Sequence, residues 1–191
     1  MDPIQKFKEW QQAELAASSV TIPKAACLST VGLDGFPNAR FVELKEVLDG
    51  NFIVTGPISS RKGLEIEQCN KVALTCWWTA TEKQVRIQGS AIKISDERAD
   101  TYFSERHLGS RIVSNISNQG QELEDIEALL AAIEHGKQTL KDADVTRPDT
   151  WSGYAIIPHR IEFFEFTDTR FHQRILFEFG EGMWKKKHLQ P

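Results

Sequence analysis

Apolar and polar residues change rhythm several times along this chain, and each change marks an element. Ile4, Phe7 and Trp10 recur at near-helical spacing to about Ala17. Asp2-Pro3 stands in front of them, a capping carboxylate followed by the residue favoured at the first helical position. Ala25 to Val31 reads as a buried strand, Gly32-Leu33-Asp34-Gly35 as turn chemistry and Pro37 to Lys45 as a second strand. Asp49-Gly50 turns the chain into Asn51 to Thr55, which Gly56-Pro57 ends. Ser59-Ser60 reads as the cap of a short helix, Lys62 to Gln68. Lys71 to Thr79 and Gln84 to Ile94 are two more strands. Asp96 caps a helix to about Glu105, and Gln121 to Lys141 is helical in composition. After Arg147-Pro148-Asp149 come four late strands: Gly153 to Ile157, Ile161 to Phe166, Phe171 to Phe179 and Met183 to His188.

Most of these strands are joined by short turns, and long parallel crossovers are few. The pattern predicts a mainly β fold with helices (α+β), an antiparallel barrel with helices packed on it, rather than a doubly wound sheet. With 191 residues and no internal repeat or linker, residues 1–191 read as one domain. Its N-terminal helix covers about 2–17 and its C-terminal strands about 151–191.

Composition narrows the chemistry. Apolar residues make up 40% and charged residues 26%, ordinary for a globular protein. A net charge of −4 gives no global attraction to nucleic acid or an anionic membrane. Any anion site must be local. No apolar run is long enough to span a bilayer, and no leader pattern precedes the first helix. Three cysteines without CxxC spacing read as reduced thiols, which places the chain in the cytoplasm. Five scattered histidines give no zinc pattern, so no metal is expected.

Five local patterns carry candidate chemistry. In Arg40-Phe41-Val42-Glu43-Leu44-Lys45, strand parity sends Arg40 and Lys45 to opposite faces, so they would hold different anions. Taken alone, the commoner reading is an edge strand defended by charge. Ser60-Arg61-Lys62-Gly63 puts two cations at a helix N-terminus, where the dipole disfavours them unless an anion is present. A solvated loop is the alternative. Gln84, Arg86 and Gln88 share a strand face, and an amide suits a ring edge that donates and accepts. Tyr102 and Arg106 share a helix face, with Ser110 in the next turn or loop; together they suit a phosphate. In Arg170-Phe171-His172-Gln173-Arg174, alternation groups Arg170, His172 and Arg174 and turns Phe171 and Ile175 to the core. Adjacent cations need neutralising, and a histidine there can move protons near neutral pH.

In order and spacing, these segments resemble the pyridoxamine 5′-phosphate oxidase family over nearly the whole chain. Trp151-Ser152-Gly153-Tyr154 and Ile161-Glu162-Phe163 also resemble its late-strand signature. The resemblance implies a split β-barrel homodimer with FMN at the interface. It implies FMN contacts at Arg40, Phe41, Val42, Glu43, Leu44, Lys45, Val54, Thr55, Ser60, Arg61, Lys62, Gln84, Gln119, Gly120, Phe164 and Arg174. It implies a substrate phosphate held by Lys45, Tyr102, Arg106 and Ser110, with Arg170 and His172 as catalytic residues against the pyridine ring. The implied reaction oxidises pyridoxamine or pyridoxine 5′-phosphate to pyridoxal 5′-phosphate, with oxygen as acceptor and hydrogen peroxide released.

The chain departs from the family pattern in places. Val54 stands where an aromatic is usual, Gly120 where a serine follows Gln119, Phe164 where a tryptophan is usual, and His107-Leu108 where a proline-arginine pair is usual. Most of the N-terminal extension of longer members is absent. These departures leave two rival readings: a flavin oxidase of another substrate, as in phenazine-biosynthesis relatives, or a non-catalytic B6-phosphate or flavin carrier.

Overall fold

The computed structural model of the chain describes residues 2–169 and 171–191. Its helices are α1 (Pro3–Ala17), α2 (Arg61–Gln68), α3 (Asp96–Ser104), α4 (Leu108–Ile116) and α5 (Ile126–Thr139). Its strands are β1 (Ala25–Val31), β2 (Pro37–Leu48), β3 (Asn51–Pro57), β4 (Lys71–Trp78), β5 (Lys83–Lys93), β6 (Trp151–Glu165), β7 (Gln173–Gly180) and β8 (Met183–Leu189). All pairings are antiparallel, in the order β3-β2-β1-β4-β5-β6-β7-β8. A further β3–β6 pairing closes the first six strands into a barrel and leaves β7–β8 projecting from it. The expected antiparallel split barrel is the fold observed.

The barrel fills from both sides of its wall. Phe7, Leu28, Leu44, Phe52, Leu74, Trp78, Ile87 and Phe163 are buried in one core. α1 plugs one side of it. Asp2 accepts the Ile4 N–H at 3.0 Å to start the helix, and Phe7 stacks edge-on against Phe52 at 4.8 Å. Glu14, also buried, accepts the Ala80 and Thr81 N–H groups and so ties the end of α1 to the β4–β5 turn. A second core lies under α3 and α4, where Ile53, Ile94, Phe103, Ile112 and Trp151 meet.

Several boundaries differ from the sequence reading. The two strands expected at Gly153 to Ile157 and Ile161 to Phe166 are one continuous β6. Pro158, which cannot donate to a ladder, is tolerated because it sits at a bulge: Gln88 pairs with Arg160 and the next residue, Gly89, with Pro158. Gly89 is required there, since a Cβ would come within 2.2 Å of the Ile157 carbonyl oxygen. β3 continues through Gly56 to Pro57 because β6 pairs with it to the end. Ser95 rather than Asp96 caps α3, its hydroxyl accepting the Arg98 N–H. The helical composition from Gln121 becomes helix only from Ile126, where Asp125 caps it through the Ala128 N–H. α4 escaped the reading, which left Ser110 in a turn or loop. It begins at Leu108-Gly109-Ser110, where Gly109 and Ser110 are weak helix formers, and His107 caps it by accepting the Gly109 N–H.

Among the described residues no helix is long and apolar enough to cross a membrane, and no cluster of His, Cys, Asp and Glu could hold a metal ion. Because Phe7 is fully buried against Phe52 and Trp78, Phe7→Ala is expected to cost about 3–5 kcal/mol of unfolding free energy, read as a lower urea midpoint with unchanged slope.

Candidate active site

The first group of candidates gathers where β3 hands over to α2. Glu65, one turn into α2 and fully buried, lies at its centre. One carboxylate oxygen accepts from Asn38 and from Arg61 Nε (2.9 Å); the other accepts from Thr30 and from Arg40 (2.8 Å). Arg40 also donates to the Thr30 hydroxyl and to the Leu28 carbonyl at 3.4 Å. Burial raises the Glu65 pKa, but the hydrogen bonds from Thr30, Arg61, Arg40 and Asn38 outweigh it and hold the carboxyl down to about 2. Arg61 reaches outward to Asp34 at 3.1 Å.

Lys62 is treated differently. Its ammonium donates to the Ser60 hydroxyl (2.9 Å) and to Gln119 Oε1 (3.1 Å), and among the described residues no carboxylate pairs with it. Burial, reinforced by the Arg40 charge, pushes its pKa down to about 8. Ser60 stands at the N-cap of α2, as expected, but its side chain makes no capping hydrogen bond. Its hydroxyl donates back to the Pro57 carbonyl, and no side chain caps the helix. A helix N-terminus without a side-chain cap, carrying Arg61 and Lys62, has the dipole and the charge to attract an anion.

The second group depends on a bulge. Leu44 pairs with Val54 and Glu46 with the adjacent Ile53, so Lys45 is the extra residue in β2. The bulge turns Lys45 and Glu46 together toward α3. Lys45 pairs with Glu105 at 2.8 Å and lies 5.5 Å from the centre of the Tyr102 ring. The Tyr102 hydroxyl donates to Glu46; burial, then this bond, pushes its pKa up to about 12. Arg106 stacks over Trp151 at 5.2 Å and donates to Ser114 at 2.7 Å. Burial lowers its pKa, and Glu43 opposes that effect. Arg106 and Ser110 line a cleft of about 580 Å³ together with Gln119 and Lys137. Since Gln119 also bonds Lys62, the cleft runs up to the first cation group. Tyr102 lies instead in a neighbouring recess with Glu46 and Glu105, so it and Lys45 do not line the cleft.

The third group is remote in this chain. Gln84, Phe164 and Arg174 stand in register across β5, β6 and β7. Arg174 grips Glu162 at 2.6 and 2.9 Å and lies over the Phe164 ring at 5.6 Å. The His172 ring packs against Phe164 and Phe166 at 5.3 and 5.0 Å, and its Nδ1 accepts the Thr167 N–H at 3.3 Å. Arg170 lies outside the described residues. Phe171 does not face the core: it is 72% exposed, because β7 starts only at Gln173 and alternation does not govern the residues before it. Gly153, opposite Thr55, and Phe164, opposite Gln84, are both on β6. The strand between them spans roughly 35 Å at ~3.3 Å per residue. One small ligand cannot touch both ends.

Among the other expected contacts, Phe41 is 77% exposed, while Leu44 and Val54 have their side chains in the barrel core, so only their backbones can face a ligand. Gly120 has a φ of +87°, the left-handed region, where the serine usual in the family would be strained. Sequence reasoning missed Thr30, Asn38, Glu65, Glu46, Glu105 and Glu162. Only Glu65 had a local signal, its i,i+4 spacing from Arg61.

This is a closed antiparallel barrel that gathers cations and hydrogen-bond donors around the start of α2 and the adjoining cleft. The chain belongs to the pyridoxamine 5′-phosphate oxidase family, which residues 13–140 match, while residues 151–191 match the pyridoxine 5′-phosphate oxidase C-terminal dimerisation region. It is 42% identical to a pyridoxine/pyridoxamine 5′-phosphate oxidase of Actinobacillus pleuropneumoniae, across 100% of this chain and 90% of that protein. It is 39% identical to one of Thermosynechococcus vestitus, across 100% and 89%. Among solved structures it is similar to PhzG from Burkholderia lata in complex with tetrahydrophenazine-1-carboxylic acid, with a TM-score of 0.93, 29% identity and coverage of 100% and 93%. An FMN-binding protein of Nostoc punctiforme shares the fold, with a TM-score of 0.83 at 15% identity and coverage of 100% and 98%.

Lys62 carries a stability cost that can be measured. Below pH 8 the folded, ligand-free chain holds a charge that burial disfavours, whereas the unfolded chain holds it freely up to its ordinary pKa of 10.5. Lys62→Met is therefore expected to raise the thermal midpoint of the ligand-free protein at pH 7, by roughly 2–4 °C per kcal/mol recovered. The gain should shrink as pH rises toward 10, which scanning calorimetry at several pH values would follow.

Proposed function

We propose that this protein is an FMN-dependent oxidase that converts pyridoxamine or pyridoxine 5′-phosphate to pyridoxal 5′-phosphate, with oxygen as acceptor and hydrogen peroxide released. The observation that carries this reading is the half-buried Lys62 ammonium, which among the described residues has no carboxylate partner, at the edge of the Arg106–Ser110 cleft. Two neighbouring cationic groups suit two phosphates, one on the cofactor and one on the substrate. FMN, when bound, supplies a two-electron acceptor that oxygen can regenerate. Arg40, Arg61, Lys62 and the Ser60 hydroxyl would hold its phosphate at the start of α2. Arg106 and Ser110 would hold the substrate phosphate, and Lys45 and Tyr102 would join them by exchanging Glu105 and Glu46 for it. Fixing both phosphates fixes the separation of the reacting atoms, which is where the rate gain of such a site lies.

The third group then comes from a second copy of the chain. The length of β6 between the groups favours this, as does the matched dimerisation region, which contains Phe164, His172 and Arg174. The Thr167 N–H engages Nδ1 of His172, so the neutral imidazole carries its proton on Nε2 and can donate it toward a substrate oxygen or nitrogen. Arg170, two positions earlier in the sequence, would stabilise developing charge.

A second reading is oxidation of a phosphate-free ring acid. The likeness to PhzG, bound to tetrahydrophenazine-1-carboxylic acid, and the prior engagement of Lys45 and Tyr102 by carboxylates favour it. The purified protein, flavin-loaded and anaerobic, separates the two. Bleaching of the flavin absorbance by pyridoxamine 5′-phosphate supports the first reading. Bleaching only by a reduced phenazine acid, or by neither B6 phosphate, overturns it.

Arg106→Ala is expected to raise KM for pyridoxamine 5′-phosphate by roughly 10- to 100-fold, the worth of a charged hydrogen bond, with FMN content unchanged in steady-state assays. FMN affinity should weaken above pH 8, where ligand-free Lys62 loses its proton, approaching tenfold per pH unit in fluorescence titrations.

A further inference from the structure

A carboxylate at the heart of a phosphate site looks out of place, since it should repel the ligand. Glu65 is fully buried, and burying a charge is costly unless every lone pair is met. Here every lone pair is met: two donors reach each oxygen, and two of the four are the guanidinium groups of Arg40 and Arg61. Building on the FMN reading above, we propose that Glu65 is the positioning residue of the cofactor-phosphate site, holding Arg40 and Arg61 in the pose that receives a phosphate monoester.

The hydrogen bonds show how. Arg40 spends its NH1 donors on Thr30 and Leu28 and one NH2 donor on Glu65, which leaves its Nε–H and one NH2 proton. Arg61 spends its Nε–H on Glu65 and an NH2 proton on Asp34, which leaves both NH1 donors and one NH2 proton. Glu65 thus anchors each guanidinium by one edge and leaves other donors for a ligand. Without that anchor the two arginines and Lys62 would repel one another and lose their fixed rotamers before any ligand arrived. The charges also match. Three cations against one buried carboxylate leave two positive charges, the complement of a phosphate dianion, with Asp34 at the solvent-exposed rim where screening weakens it.

Glutamine is isosteric but fails chemically, since all four partners donate to Glu65. Thr30 and Asn38 can each present an acceptor instead, by hydroxyl rotation and by an amide flip. A guanidinium has no acceptor to present. Glu65→Gln must therefore release one arginine, and half-exposed Arg61 is the one free to leave.

The test uses the full chain, freed of flavin and titrated by fluorescence with FMN and with riboflavin, which lacks the phosphate. Glu65→Gln is expected to weaken FMN at least tenfold and to leave riboflavin within twofold. In an Arg61→Ala background, the same substitution should weaken FMN threefold or less, because its effect runs through Arg61. Thr30→Val removes the hydroxyl that links Arg40 to Glu65 without changing interior charge, and should weaken FMN at least threefold with riboflavin unchanged. It decides the matter should Glu65→Gln fail to fold. Equal losses for FMN and riboflavin would make Glu65 a structural residue and overturn the assignment, as would full FMN affinity in both variants. A wild-type chain that binds neither flavin would overturn the cofactor reading, and the assignment with it.

Discussion

Strand β6 is the constraint on which the rest of this molecule depends. Its first residues pair with β3 and close the barrel, and its last pair with β7 and carry the projecting β7–β8 hairpin. Neither the wall nor the hairpin exists without a strand long enough to serve both. That length also separates two groups of candidate site residues. The cations around α2 sit beside the closing end, and Gln84, Phe164 and Arg174 line up at the other. The bulge at Pro158 bends the strand between the two without ending it.

The cationic end holds charges in three different conditions. Glu65 is fully buried, and the donors of Thr30, Asn38, Arg40 and Arg61 meet its charge. Lys62 and Arg106 are the reverse, since burial lowers the pKa of both and their charges cost the ligand-free fold. The fold tolerates that cost because the barrel core and the second core beneath α3 and α4 are well packed around them. Lys45 and Tyr102 are in a third condition, each already engaged by a carboxylate.

The departures from the family pattern take on distinct physical meanings. Val54 lies in the core between Leu44 and Tyr154 in the sheet, so the missing aromatic alters barrel packing rather than a ligand surface. Gly120 suits its left-handed backbone, so its lost hydroxyl is exchanged for relief of strain. Phe164 is smaller than tryptophan, but Phe166 packs 4.4 Å from it and Trp77 packs 5.0 Å from Phe166. The aromatic surface beside His172 is rebuilt from neighbouring rings.

Much was legible in the residues alone. Alternation and turn chemistry determined β1 in full and the boundaries of most strands within a few residues, because a half-buried strand and a tight turn are local events. The Asp2-Pro3 start of α1 was likewise readable. Parity separated Arg40 from Lys45, and the two do reach different partners. Longer-range facts were not legible. Whether 153–157 and 161–166 are two strands or one depends on pairing with β3, β5 and β7, far apart in sequence. That Lys45 is a bulge residue depends on the register against β3. Glu65 read as an ordinary helix residue until the fold brought Thr30, Asn38 and Arg40 from two strands to meet it. The chain by itself determined which side chains could hold anions. Only the tertiary structure decided which are already neutralised, because a charge's burial and partners are set by segments the local sequence does not contain.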